Sequence, residues 1–202
     1  DTCSMSVENT EKYILDVLAA KEKYKNQIAV HLGIEQDMLG RLKTKAPFEY
    51  VIGSKHFLKN RPIDHSKEKF IELFEYYHHD FISLCKDYYT DLSNMANWSE
   101  VDIIGHLDLI TKFNEDESFW RFEDEKYVSI VCDCIDRLIG ANKIMEINTG
   151  AIARGYRTTP YPYDKTKLDC AYDVSLDLIR SCGFKEMDFL TDQGFQKRKV
   201  EN

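Results

Sequence analysis

The segment YVIGSKH, residues 50–56, indicates the fold of this chain more clearly than any other stretch. It opens with an apolar, partly β-branched run that predicts a buried strand. Gly53 and Ser54 end the run, and His56 follows as a side chain that can bind a metal ion. A buried strand that ends in glycine and polar residues is typical of a parallel α/β sheet, in which the carboxyl ends of the strands carry function.

The same pattern recurs at three other places along the chain. The segments are LGIE at residues 32–35, IGHLD at residues 104–108 and EINTG at residues 146–150. In a parallel α/β barrel the carboxyl ends of all strands lie on one face. We therefore expect Glu35, His56 and His106 to lie close together at that face.

Helical periodicity and short apolar runs alternate along the chain, which is the pattern of βαβ units. Helices are expected at about residues 8–24, 37–45, 124–139 and 168–181, with one long helix whose apolar stripe runs over residues 70–88. Strands are expected at residues 27–32, 50–52, 101–104, 144–147 and 187–190. The predicted fold class is α/β, with a single domain over residues 1–202. These strands are fewer than the roughly seven or eight that close an α/β barrel. After residue 149 the alternation of strands and helices is interrupted, as if one helix and one strand were missing.

Composition narrows the class of protein. The 202 residues, 43% of them apolar, are sufficient for a globular domain with a substantial core. The formal net charge of −8 disfavours non-specific binding to nucleic acid or to an anionic membrane surface. Six cysteines are scattered without Cys-x-x-Cys pairs, which favours reduced thiols in a cytoplasmic protein. Neither a membrane span nor a signal peptide is expected.

Two groups of residues could carry chemistry. Glu35, His56 and His106 are a carboxylate and two imidazoles, the ligand types that zinc, iron and manganese prefer. Spacing alone leaves an alternative open, because a histidine is more often a hydrogen-bonded core or turn residue than a ligand. Arg154 and Arg157 follow the fourth strand, where a guanidinium could hold a phosphate bidentately. The alternative for both arginines is a solvated loop position.

The remaining histidines are expected to have other roles. His31 shares a strand face with Glu35 by the two-residue period, so it either packs in the core or supports the metal ligand. His65 is expected at the surface just before a helix. His78 and His79 are expected to be solvated or half-buried, since adjacent helical residues point about 100° apart and cannot readily share one metal.

Four motifs, in this order, resemble those of the histidinol-phosphate phosphatases in the PHP superfamily. They are GIE at residues 33–35, FEYVIGSKHF at residues 48–57, GHLDLI at residues 105–110 and EINTG at residues 146–150. The resemblance implies a distorted (β/α)7 barrel with a trinuclear cluster of divalent transition metals, Zn, Mn or Fe. It also implies hydrolysis of a small phosphorylated substrate, L-histidinol phosphate, to histidinol and phosphate.

The resemblance also implies roles for individual residues. Glu35 resembles a carboxylate that bridges two metals, and His56 and His106 resemble the imidazoles that complete the protein ligands of the second metal. Arg154 resembles the arginine that binds the substrate phosphate, with Arg157 as its helper. Glu35 and Arg154 are thus the expected catalytic residues, and the two arginines are the expected substrate-binding residues.

Part of the family's ligand set has no counterpart in this chain. The His-x-His strand and the Asp-His pair with which the family begins are absent. The late Asp-x-His strand of the family is also missing; it should fall between residues 163 and 170. We therefore expect the chain to be part of a longer polypeptide. Two alternatives stand beside the main expectation: a PHP phosphoesterase acting on another small phosphomonoester or a phosphoprotein, and a non-catalytic PHP domain that binds a metabolite or partner.

Overall fold

Four parallel strands form the sheet that positions the candidate site. The computed structural model describes residues 4–42, 45–162, 186–191 and 194–199. Its strands, numbered along the chain, are β1 (Gly33–Asp37), β2 (Tyr50–Ser54), β3 (Phe57–Leu58), β4 (Arg61–Pro62), β5 (Ile103–Ile104), β6 (Ile144–Met145), β7 (Glu186–Thr191) and β8 (Gly194–Lys199). The main sheet has the order β1-β2-β5-β6, and all three pairings are parallel. The pairs β3–β4 and β7–β8 are separate antiparallel sheets.

The strand order confirms the predicted parallel α/β architecture for the described residues. Each strand of the main sheet lies beside the next main-sheet strand along the chain, which is the arrangement that α/β barrels use. The predicted strand at residues 187–190 is present as β7, but it pairs with β8 instead of joining the parallel sheet. The predicted helix at residues 168–181 and the expected position of the Asp-x-His strand lie outside the described residues.

Five α-helices accompany these strands in the described part of the chain. They are α1 (Val7–Tyr24), α2 (Lys67–Tyr76), α3 (Phe81–Ser93), α4 (Glu125–Gly140) and α5 (Gly150–Ala153). The first four each follow a residue whose side chain accepts a backbone N–H and so caps the helix: Ser6, Ser66, Asp80 and Asp124. In the described part of the predicted helical stretch at residues 37–45, the helical element is a short 3-10 helix, Met38–Gly40. No helix among the described residues is long and apolar enough to cross a membrane.

The first strand lies later in the chain than predicted. The apolar run at residues 27–32 is irregular, and β1 occupies Gly33–Asp37 instead. Ile28 in the run is 63% exposed, whereas Leu32 at its end is buried. The prediction was wrong because β-branched and apolar residues favour a strand only where a partner is available. The partner strand, β2, begins opposite Gly33.

The predicted long helix is two helices, α2 and α3, that share one core face. His78 and His79 lie in the break between them with positive φ angles of 53° and 60°. Asp80 then starts α3 by accepting the N–H groups of Ile82 and Ser83. The apolar stripe runs on across the break because both helices pack against the same core, so periodicity alone does not reveal the interruption.

The core between the helices and the sheet is rich in aromatic side chains. Phe70 from α2, Tyr88 and Tyr89 from α3, and Tyr127 from α4 are all at most 1% exposed. The Tyr88 hydroxyl donates to the carbonyl of Leu107, 3.2 Å away, and the Tyr89 and Tyr127 hydroxyls lie 3.2 Å apart. Because these hydroxyls have partners, their burial is compatible with a stable core. In contrast, no residue of α1 is fully buried.

We expect Gly53→Ala to destabilise the protein, because a β-carbon there would lie 2.8 Å from Met95 Sδ and 2.9 Å from Val101 Cγ1. Overpacking of this kind lowers the free energy of unfolding by about 1–3 kcal/mol. Gly40→Ala is the matched control, since a β-carbon at Gly40 would meet nothing within 4 Å. Urea unfolding measures both variants, and equal midpoints for the two would contradict the packing argument.

Candidate metal centre

Glu35, His56 and His106 come together at the carboxyl ends of three neighbouring strands. Glu35 lies in β1, His56 lies two residues after β2, and His106 lies two residues after β5. Each of the three residues has one possible ligand atom that lies within 4.8 Å of the ligand atoms of the other two. The structure therefore brings together the three residues that the sequence predicted to converge. Their role as metal ligands is a separate prediction.

The spacing of these atoms suits one metal ion. Glu35 Oε1 lies 3.2 Å from His106 Nε2 and 3.8 Å from His56 Nε2. Two ligands at about 2.1 Å from a tetrahedral ion lie about 3.4 Å apart, so small side-chain movements would complete such a shell. The two imidazole rings are not stacked, because their planes are inclined at 66° with centroids 4.9 Å apart.

His106 lacks the hydrogen bonding of an ordinary core histidine. Its side chain is 11% exposed, and within the described residues its Nδ1 is buried without a hydrogen-bond partner. Its Nε2 faces the Glu35 carboxylate. Nε2 is therefore the nitrogen that could bind an ion, while the buried Nδ1 lacks, in the described part of the chain, the partner that usually orients a histidine ligand.

Glu35 is kept ionised by its surroundings. A hydrogen bond from His106 lowers the pKa of Glu35 most strongly, and with further help from Ser54 and His56 the pKa falls to about 2 although burial raises it. The Ser54 hydroxyl donates to Glu35 Oε1 at 2.6 Å. The Glu35 side chain is still 49% exposed. It is therefore a carboxylate at neutral pH and is open to solvent on one side.

Asp37 holds His56 in the orientation that a metal ligand needs. Its Oδ2 accepts the backbone N–H of His56 at 2.8 Å and lies 3.1 Å from His56 Nδ1. Burial lowers the pKa of His56, but the hydrogen bond to Asp37 and the nearby carboxylates of Asp64 and Glu35 raise it on balance. Because the Asp37 carboxylate can only accept hydrogen bonds, the proton of neutral His56 lies on Nδ1. The lone pair of Nε2 is then directed toward Glu35.

Asp37 is not among the residues predicted from the sequence, although a signal for it exists. Glu35 and Asp37 are two positions apart in β1, so their side chains point to the same face of the sheet. The same period was applied to His31, where it was misleading because residue 31 precedes the strand. The His31 side chain is 61% exposed and lies 3.0 Å from Glu49 Oε2, so it neither packs in the core nor supports Glu35.

A carboxylate also holds the backbone of the other histidine. Glu146 Oε2 accepts the N–H of His106 at 2.9 Å. His106 has a positive φ of 26°, a strained conformation that a non-glycine residue keeps only when its surroundings impose it. Gly105 beside it has no room for a side chain, because a β-carbon there would lie 2.7 Å from Ser54 Oγ.

The two predicted arginines occupy different environments. Arg154 is exposed, and its guanidinium lies against Gly150, where a β-carbon would be 3.4 Å from Arg154 Nη2. The Arg157 side chain is 0% exposed. It donates to Thr111 Oγ1 at 3.1 Å and to Thr159 Oγ1 at 3.3 Å. Arg154 is therefore accessible to a ligand from solvent, whereas Arg157 stabilises its own loop. Contact of either arginine with a substrate stays a prediction.

The other three histidines lie at the surface, as the sequence predicted. His65, His78 and His79 are exposed. Cys134 is buried in α4, and burial raises the pKa of its thiol to about 12. Trp120 and Phe122 pack in the core.

Comparison with known proteins gives relatives and a fold. The PHP domain family matches residues 1–150, which include the three candidate ligands. A Schizosaccharomyces pombe protein named "Probable histidinol-phosphatase" is 27% identical over 164 residues, 77% of this chain and 53% of its own length. A Deinococcus radiodurans protein of the same name is 31% identical over 116 residues, 54% of this chain and 43% of its own length.

The crystal structure of a candidate histidinol phosphatase from Listeria monocytogenes has a similar fold, with a TM-score of 0.71 at 18% identity, and the match covers 85% of this chain and 69% of that one. The chain spans about half the length of the curated relatives it matches. The family match covers most of the sequence and all three converging side chains. By that match, and in agreement with the strand-end motifs, the chain belongs to the PHP domain family.

Proposed function

We propose that this protein is a metal-dependent phosphomonoesterase that hydrolyses L-histidinol phosphate to histidinol and phosphate. The observation that carries the proposal is the convergence of Glu35, His56 and His106 at the carboxyl ends of parallel strands. The names of the curated relatives support the choice of substrate. Within the proposal, the four-stranded sheet is an arc of a distorted (β/α)7 barrel.

The chain's own residues divide the work between metal binding and phosphate binding. Glu35, His56 and His106 would hold a divalent ion such as Zn, Mn or Fe. Such an ion would act as a Lewis acid toward the phosphoryl group and lower the pKa of water. Asp37 keeps the proton of His56 on Nδ1, and Ser54 orients the Glu35 carboxylate. The half-exposed Glu35 leaves access for a substrate from solvent.

Arg154 is the residue proposed to bind the phosphate. Its guanidinium is exposed in the loop that follows β6, the strand next to the one that precedes His106. A guanidinium can donate two parallel hydrogen bonds to a phosphate and offset the charge that accumulates on its oxygens during transfer. Phosphoryl transfer depends mainly on positioning and electrostatics, so an arginine and a metal site provide the required chemistry.

We expect Glu35→Ala to abolish phosphate release from histidinol phosphate, because the variant loses the carboxylate that both imidazoles face. Elemental analysis should show that the metal content falls together with activity. Glu72→Ala, which removes an exposed carboxylate on α2, is the control and should change neither quantity. Wild-type turnover in Glu35→Ala would refute the site assignment.

We expect Asp37→Asn to weaken metal binding while leaving the three ligands in place. The neutral amide oxygen is a weaker acceptor for the proton on His56 Nδ1 than the carboxylate is, and losses of such supporting partners typically lower metal affinity about 10- to 100-fold. Isothermal titration calorimetry with Zn²⁺ measures the change, and Asp133→Asn at an exposed position of α4 is the control. An unchanged zinc affinity in Asp37→Asn would show that the contact to His56 is not needed.

We expect Arg154→Ala to raise KM for histidinol phosphate without changing the metal content. Loss of a charge-assisted hydrogen bond costs about 1.5–3 kcal/mol, which corresponds to a roughly 10- to 100-fold change in KM. Arg121→Ala is the control, because the Arg121 side chain is 77% exposed.

A comparison of phosphate release from histidinol phosphate and from other phosphomonoesters decides the substrate. A clear preference for a different ester would overturn the choice of histidinol phosphate.

A further inference from the structure

Two polar side chains after β6 connect the candidate metal ligand His106 with the loop that carries Arg154. Glu146 Oε2 accepts the backbone N–H of His106 at 2.9 Å and the side-chain amide of Asn148 at 3.2 Å. Asn148 Oδ1 in turn accepts the N–H of Gly150 at 2.9 Å. The Arg154 guanidinium lies against Gly150. A series of hydrogen bonds therefore leads from His106 to Gly150, and a β-carbon at Gly150 would lie 3.4 Å from Arg154 Nη2.

Asn148 also closes the base of the Arg154 loop through its backbone. Its N–H donates to the carbonyl of Tyr161, and its own carbonyl accepts the N–H of Tyr161, both at 2.9 Å. The far part of the loop is held separately, because Arg157 donates to Thr111 and Glu115 accepts from Thr158. Both ends of the segment are thus fixed, and the position of Arg154 depends on where Asn148 holds its start.

A simpler explanation of Asn148 is a local turn. An asparagine oxygen commonly accepts the N–H two residues later, and this contact alone would close a turn at the start of the short helix α5. The Asn148 amide nitrogen, however, donates to Glu146, whose same oxygen holds His106. An asparagine side chain is both donor and acceptor, so it can join the two contacts, which a serine or aspartate at this position would not do in the same way.

We propose that Glu146 and Asn148 are positioning residues that set where Arg154 lies relative to the metal site. Glu146 fixes the backbone of His106, Asn148 links Glu146 to the N–H of Gly150, and the guanidinium lies beside Gly150. Neither residue needs to touch the substrate. The inference rests on the proposed function, since it takes His106 as a metal ligand and Arg154 as the phosphate-binding residue.

A double-mutant cycle with inorganic phosphate as the probe tests the proposal. Calorimetry on the metal-loaded protein measures the dissociation constant of phosphate for wild type, Asn148→Ala, Arg154→Ala and the double variant. If Asn148 acts through Arg154, Asn148→Ala should weaken phosphate about 10-fold in the wild-type background and less than about 2-fold in the Arg154→Ala background. Equal weakening in both backgrounds would overturn the proposal.

A second pair of variants keeps the test decisive if Asn148→Ala fails to fold. Glu146→Gln retains an acceptor oxygen for both His106 and Asn148, whereas Glu146→Ala removes it. Positioning predicts that Glu146→Gln binds phosphate as wild type does and that Glu146→Ala weakens binding more when Arg154 is present than in the Arg154→Ala background. Equal weakening by the two Glu146 variants would refute a positioning role.

Controls separate this inference from the proposed function and from a general loss of stability. Asn97→Ala, at an exposed position, should leave phosphate binding unchanged, and urea midpoints should show that every variant compared is folded. A wild-type protein that binds neither divalent metal nor phosphate would sink the proposed function. A wild type that binds both, with an additive cycle, would sink only the positioning inference.

Discussion

The parallel pairing of β1, β2 and β5 is the constraint on which the candidate site depends. Glu35 pairs with Ile52, and Ile52 pairs with Ile103, so the three strands are aligned on one row. His56 comes after Ile52 and His106 comes after Ile103, at nearly the same distance along the two chain segments. A slip of one residue would turn Glu35 to the opposite face of the sheet, away from both imidazoles. The glycines at 53 and 105 protect the alignment, because each lies where a β-carbon would collide with a neighbouring strand or loop.

Much of this arrangement could be predicted from the sequence, because strand ends are marked by local chemistry. The recurrence of an apolar run, a glycine and a polar side chain predicts that Glu35, His56 and His106 converge, whereas their expected roles as ligands come from the family resemblance. The supporting carboxylates were harder to find. Asp37 could have been found from the two-residue strand period, but Glu146 contacts His106 across 40 positions of sequence, and no local pattern reports such a contact.

The errors in secondary structure have two physical causes. The run at residues 27–32 has strand composition but lacks a strand partner, so the backbone pairing begins only at Gly33. The break between α2 and α3 is hidden because both helices bury the same face, and the signal for it is the capping residue Asp80 within an otherwise continuous stripe. In both cases the local preference was correctly identified, and tertiary contacts determined where the element begins and ends.

The supporting contacts around the three candidate ligands have a consequence for how an ion would be acquired. Asp37, Ser54 and Glu146 hold the ligand side chains or their backbones through protein contacts alone. The conformational entropy of ordering the site is therefore lost during folding and not during ion binding. Because Glu35 is open to solvent, an ion bound here could enter and leave without unfolding of the chain. Imidazole and carboxylate ligands suit zinc, iron and manganese, so the supply of these ions would contribute to which one such a site holds.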